Sequence, residues 1–211
     1  ITAYVDTVDT KPLLDPIPSP GRVVKTNTRE AIGLTEWELS NGVKVALKPT
    51  DFKQDEILFR AFSHGGTSLA SDKDYVAADS ASAVVPAGGI GQFSRIELGK
   101  LMSGKVASAS ASFSELSTSV SGRGSKKDIE TMFQLIYMAF TQPRPDAAMF
   151  DVFKNQMKTM LANQKNTPTY AFSEALNQIM SQGHIRGRMM SPELLEEMNL
   201  DKSMAFYRER M

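Results

Sequence analysis

The run "KVASASASFSELSTSVSGR", Lys105 to Arg123, constrains the fold more than any other stretch. Small or apolar residues alternate with polar ones almost throughout, a period of two that no helix can place on one face. It predicts two strands, or a hairpin turning near Ser114-Glu115. A second strand signal lies upstream: "TEWELSNGVKVALKP" has two short alternating runs around Asn41-Gly42, a dipeptide suited to a tight hairpin turn. A further strand is expected in "EILFRAFS", Glu56 to Ser63, ending in "HGGTS".

Helical periodicity takes over elsewhere. "DYVAADSASAVVPAGG", Asp74 to Gly89, predicts a helix of Ala, Ser and Val, then a Pro/Gly-rich loop, "PAGGIGQF". Ser94 with Glu97 three residues on forms a capping box for a short helix to about Met102. Ser125 with Asp128 opens "IETMFQLIYMAF", which prolines stop at "TQPRP". Helices follow from about Asp146 to Asn163, with Phe150, Phe153, Met157 and Met160/Leu161 on one face, and from about Pro168 to Ser181. Two more follow, one begun by Ser191-Pro192 and one over "DKSMAFYRERM". This order predicts an α+β fold: a mostly antiparallel sheet with helices on one face. Residues 1–29, with "DTKPLLDPIPSPGR", read as a proline-rich linker or arm, which Leu13, Leu14 and Ile17 would dock onto a neighbour; residues 30–211 form the α+β domain. The chain begins without Met and stops after a helix, so it is expected to be a piece cut before a last strand.

Composition closes off several functions. With 24 basic and 24 acidic residues in 211, and only short basic clusters, a nucleic-acid partner is not expected. No cysteine is present to supply thiolate chemistry, and no apolar run is long enough to span a membrane. The two histidines, His64 and His184, stand far apart without an i, i+4 ligand partner, and His64, before two glycines, suits a turn. No GxSxG elbow occurs among the serines. "GGIGQFS" misses a dinucleotide fingerprint at Ser94 and follows a helix, so it reads as a mobile or wall-lining loop. The methionines at helical spacing read as core.

Taken together, "LSNGVKVALKP", "FRAFSHGGTSLA", the helix, the glycine loop and "KVASASASFSELSTSVSGRGSKKDIETMFQLIYMAFTQPRPDAAMFDVFKNQM" resemble the pitrilysin/insulinase family of zinc metallopeptidases, from about Thr35 to Met211. In that family a helix carries HxxEH, whose histidines bind zinc and whose Glu serves as general base; a distal Glu completes the site. Aligned on the glycine at Gly88 or Gly89, the first His falls on Asp79 or Ser80. The Glu falls on Ser82 or Ala83, and the second His on Ala83 or Val84. No Glu occurs from Asp151 to Ser173 to serve as the distal ligand. The resemblance therefore implies a non-catalytic repeat, the third of four in a long bacterial member, with no metal and no catalytic residue of its own. Zinc would sit in an upstream domain of the parent chain. The expected role is the chamber wall opposite the zinc, formed by Pro86, Gly88, Gly89, Gly91 and Gln92. Expected partners are a peptide or unfolded polypeptide and the catalytic N-terminal half of the same chain, in the periplasm or cell envelope. The alternative is a non-enzymatic partner subunit of a processing-peptidase-like complex.

Overall fold

The structure, a computed structural model, describes residues 11–211. Compactness divides the described residues into two units: one is Leu14–Glu56, the other Ile57–Met211 with residues 11–13.

The smaller unit is an antiparallel sheet of β1 (Val23–Arg29), β2 (Leu34–Leu39) and β3 (Lys44–Leu47) in that order. β2 and β3 are the expected hairpin, with Gly42 at φ +84° in its turn. β1 corrects the sequence reading, because the arm expected over 1–29 gives way to a strand at Val23. "VVKTNTR" is rich in β-branched residues, and Gly33, left-handed at φ +58°, closes the turn that returns the chain as β2. Arg29 and Asn27 then both reach Glu36 across the pair. Of the three apolar residues expected to dock the arm, Leu13 and Leu14 are buried and Ile17 is 67% exposed.

In the larger unit β4 (Ile57–His64), β6 (Ser117–Gly124) and β5 (Ala107–Phe113) form a second antiparallel sheet, in the order β4-β6-β5. β5 and β6 are the hairpin read from the period-two run; Ser114 N–H donates to Ser117 O at 2.9 Å inside its turn. Their alternation sorts the faces. Ala111, Phe113, Thr118 and Val120 are buried while Ser108, Ser110, Ser112 and Ser121 face outward. The helices are α1 (Tyr75–Ala87), α2 (Arg95–Leu101), α3 (Ile129–Thr141), α4 (Ala147–Lys165), α5 (Pro168–Ser181), α6 (Pro192–Glu197) and α7 (Leu200–Arg210). Their starts are where local chemistry puts them. Ser94, Asp146, Thr167, Ser191 and Asn199 each accept a backbone N–H of the following turn, and Ser94 with Glu97 makes the full reciprocal box. The fold is thus α+β with antiparallel sheets, as the element order implies.

α1 is bare on its inner side for a packing reason. Ala77, Ala78, Ala81, Val84 and Val85 are buried, and α7 lies close against them. Ser203 Oγ of α7 donates to Ala77 O at 2.8 Å and meets Ser80 Oγ at 3.3 Å, a helix-to-helix approach that larger side chains would prevent. Phe113 receives the edges of Phe206 and Tyr207, with ring centroids 5.2 and 5.5 Å away.

Tyr207 is 3% exposed, its hydroxyl donates to Ala139 O at 3.0 Å, and burial pushes its pKa up to about 12. The unfolded chain ionises this phenol near its ordinary value of about 10, before the folded chain does. The resulting contribution is complete below about pH 10 and disappears as pH rises towards 12, a loss of roughly 2–3 kcal/mol. Urea unfolding at pH 8 and pH 11 should therefore show a fall in stability that Tyr207→Phe reduces.

Candidate functional site

Four residues of α1 one helical turn apart point away from the core: Asp79, Ser82, Ala83 and Pro86, all exposed except the half-buried Ser82. The two registers implied by the resemblance differ in exposure. Ser80 and Val84 are 7% and 2% exposed and lie inside the fold, so a ligand set that included them would face the core. Asp79, Ser82 and Ala83, the other register that the resemblance implies, share the outward side. Asp79 is exposed as a residue, but partial desolvation of its carboxyl raises the pKa. Ser82 Oγ accepts Phe113 N–H at 3.0 Å, satisfying the last donor of β5. Ala83 ends at its methyl.

The five wall residues named from sequence follow this stripe, though they do not all present surface. Pro86 belongs to the last turn of α1 rather than to the loop: its fixed φ suits a helix, and its ring faces outward. Gly88 and Gly89 are buried, Gly91 is half-buried and Gln92 is exposed. The loop is tied down on both sides. Gly91 N–H donates to Gln142 O at 2.8 Å, Ile90 and Phe93 exchange backbone bonds at 2.9 Å, and the Arg144 guanidinium donates to Gly88 O. Arg144 also pairs with Asp146 at 3.1 Å, while Asp146 accepts Met149 N–H; these bonds hold its carboxyl below the usual carboxylate range. Of the two alternatives read from sequence, a mobile or a wall-lining loop, these bonds fit a loop held in place. Ser82, which ties the stripe to the sheet, was visible in sequence only as one register option.

Neither histidine takes part. His64 ends β4 in the open, edge-on to Phe62, and His184 Nδ1 accepts Arg186 N–H at 3.2 Å. Among the described residues no three His, Cys, Asp or Glu side chains converge as a metal site, and no helix is long and apolar enough to cross a membrane. Restoring the motif with Asp79→His, Ser82→Glu and Ala83→His should leave the chain without stoichiometric zinc after dialysis and without peptide cleavage, since α4 offers no Glu. Metal analysis and a fluorogenic peptide check this; one bound zinc with cleavage would contradict it.

No family model matches the chain. Over 76 residues it is 41% identical to a zinc protease PQQL-like protein of Arabidopsis thaliana, a match covering 36% of this chain and 8% of that protein. Its fold is similar to that of the periplasmic protease PqqL from Escherichia coli, with a TM-score of 0.79 and 18% identity, over all of this chain and 23% of PqqL. The ferredoxin protease FusC, solved in complex with Arabidopsis ferredoxin, is similar at a TM-score of 0.77 and 17% identity, over 98% of this chain and 23% of its own. A peptidase M16 inactive domain from Pseudomonas fluorescens is similar at 0.64 and 18% identity, over 82% and 42%. The chain therefore spans about a quarter of the two longer proteases. Sequence similarity to a zinc protease over 76 residues, and a fold shared along the whole length with PqqL and over most of it with a peptidase M16 inactive domain, support the resemblance to a non-catalytic domain of the pitrilysin-type zinc peptidases.

Proposed function

We propose that this chain is the third of four repeats in a longer zinc peptidase and forms the wall of the substrate chamber opposite the zinc. The reading is supported by the outward stripe of α1, which presents Asp79, Ser82, Ala83 and Pro86 on the side where the resemblance would put the zinc face, with no histidine and no glutamate among them. Small side chains leave room for a polypeptide, and the bonds that hold Gly88 and Gly91 preset the surface beside them. Such a wall orients substrate, a contribution to rate that requires no reacting group. Gln92, exposed at the loop tip, supplies an amide for a peptide backbone. Zinc belongs to an upstream domain of the same parent chain, and the periplasm or cell envelope is the proposed location, as for PqqL.

The test is Ala83→Trp in the full-length parent protein. Cleavage of a long unfolded polypeptide should fall by about tenfold or more in kcat/KM while zinc content stays whole, because the indole occupies substrate space. Unaltered cleavage of long substrates would overturn the reading.

A further inference from the structure

The sheet β4-β6-β5 has a second face, turned away from α1 and α3. None of the three strands contains Asp or Glu, and their ionisable side chains, Arg60, Arg123 and His64, all fall on this open side. In sequence, the nearest acids lie beyond the strand ends, at Glu56 and Glu115. Arg60 stands between Leu58 and Phe62 on edge strand β4, and these two are 71% and 70% exposed. Apolar side chains this open on both sides of a cation are not needed for the core, which the alternate residues Ile57, Phe59 and Ala61 serve.

The face is shaped as well as charged. Apart from Arg123, central strand β6 presents serines outward, with Ser121 opposite both Arg60 and Ser110. A hollow of about 410 Å³ follows, lined by Leu58, Arg60, Ser108, Ser110, Ser121 and Arg123. Adjacent strands lie about 4.8 Å apart, so β4 and β5 flank β6 at a total width of about 10 Å, enough for one extended polypeptide. An extended chain lying along β4 repeats its side chains with the same two-residue period as Leu58, Arg60 and Phe62. The complementary sequence alternates apolar, acidic, apolar. Its carboxylate meets the planar fork of Arg60, and the hydroxyls of Ser110 and Ser121 donate to the same oxygens.

We infer that the open face of this sheet binds an extended acidic peptide segment, with a carboxylate on Arg60 and apolar neighbours on Leu58 and Phe62. The site is separate from the α1 stripe, so it stands whether or not the chamber-wall reading does.

Fluorescence anisotropy on the 211-residue chain tests it, using a short labelled peptide in which threonine alternates with valine, glutamate and valine. Saturable binding is expected, weakened about tenfold or more by Arg60→Ser and to a similar degree when the peptide's glutamate becomes glutamine. Arg60 is exposed, so the variant should fold, and circular dichroism verifies that it does. Phe62→Ser should weaken binding with Arg60 intact. Absence of saturable binding, equal affinity for the glutamine peptide, or an affinity indifferent to Arg60→Ser would each overturn the inference.

Discussion

Gly89→Ala is expected to cost about 3–5 kcal/mol and to leave much of the protein unfolded at ambient temperature. Gly89 has φ +98°, a region L side chains rarely adopt, and a Cβ there would lie 2.1 Å from Phe93 O, 2.8 Å from Ser94 C and 2.9 Å from Arg95 N. All three atoms are backbone, so no side chain can swing aside to make room. Moving Phe93 is costly in turn, because it is 1% exposed and its carbonyl accepts Ile90 N–H. The damage would reach the start of α2, where Ser94 and Glu97 exchange their capping bonds at 2.8 and 3.3 Å. Gly99→Ala is the control: it lies in α2 with nothing within 4 Å of its would-be Cβ, and should be neutral or stabilising by about 0.5–1 kcal/mol. Urea titrations by circular dichroism separate the two. Equal midpoints for Gly89→Ala and the unchanged protein would refute the argument.

The second large effect is expected at Arg186, which joins the segment after α5 to the segment before α1. Its guanidinium donates to Thr67 O at 2.9 Å, Ala70 O at 2.6 Å and Asp72 Oδ1 at 3.1 Å, and stacks 4.8 Å above the Tyr75 ring. Tyr75 OH donates back to Arg186 O at 3.3 Å. Asp72 is 63% exposed, so that ion pair adds little; the bonds to the Thr67 and Ala70 carbonyls and the ring contact dominate. Arg186→Ala should cost about 3 kcal/mol and make the chain around residues 182–190 a preferred site of proteolysis. Lysine offers one compact ammonium instead of a planar fork, so Arg186→Lys should recover less than half of the loss. A change below about 0.5 kcal/mol in Arg186→Ala would show the clasp to be dispensable.

Features set by neighbouring residues were legible before the fold was known. The Ser94/Glu97 box, the Asn41-Gly42 turn and the alternation of β5 and β6 each need only a few adjacent residues, and each stands where it was read. β1 was hidden because prolines dominate the stretch before it, and its strand character depends on pairing with β2. The inner face of α1 could not be interpreted without α7, 126 residues away at the Ser203–Ala77 bond. The same distance problem concealed Arg186, whose partners lie more than 110 positions upstream. At the candidate site the family resemblance narrowed the zinc-equivalent positions to two registers. The two differ in exposure, which only the fold shows: Ser80 and Val84 are buried, whereas Asp79 and Ala83 are not.

The hydrogen bond from Phe113 N–H to Ser82 Oγ bears on the history of this helix. Where the family's general base would stand, the side chain now has a structural duty at the end of an edge strand. Ser82→Glu would withdraw that acceptor and loosen β5 without completing a metal site, since neither Asp79 nor Ala83 is a histidine and α4 has no Glu. The acceptor that ends β5 and the position read as a general base are thus one side chain, and it cannot serve both.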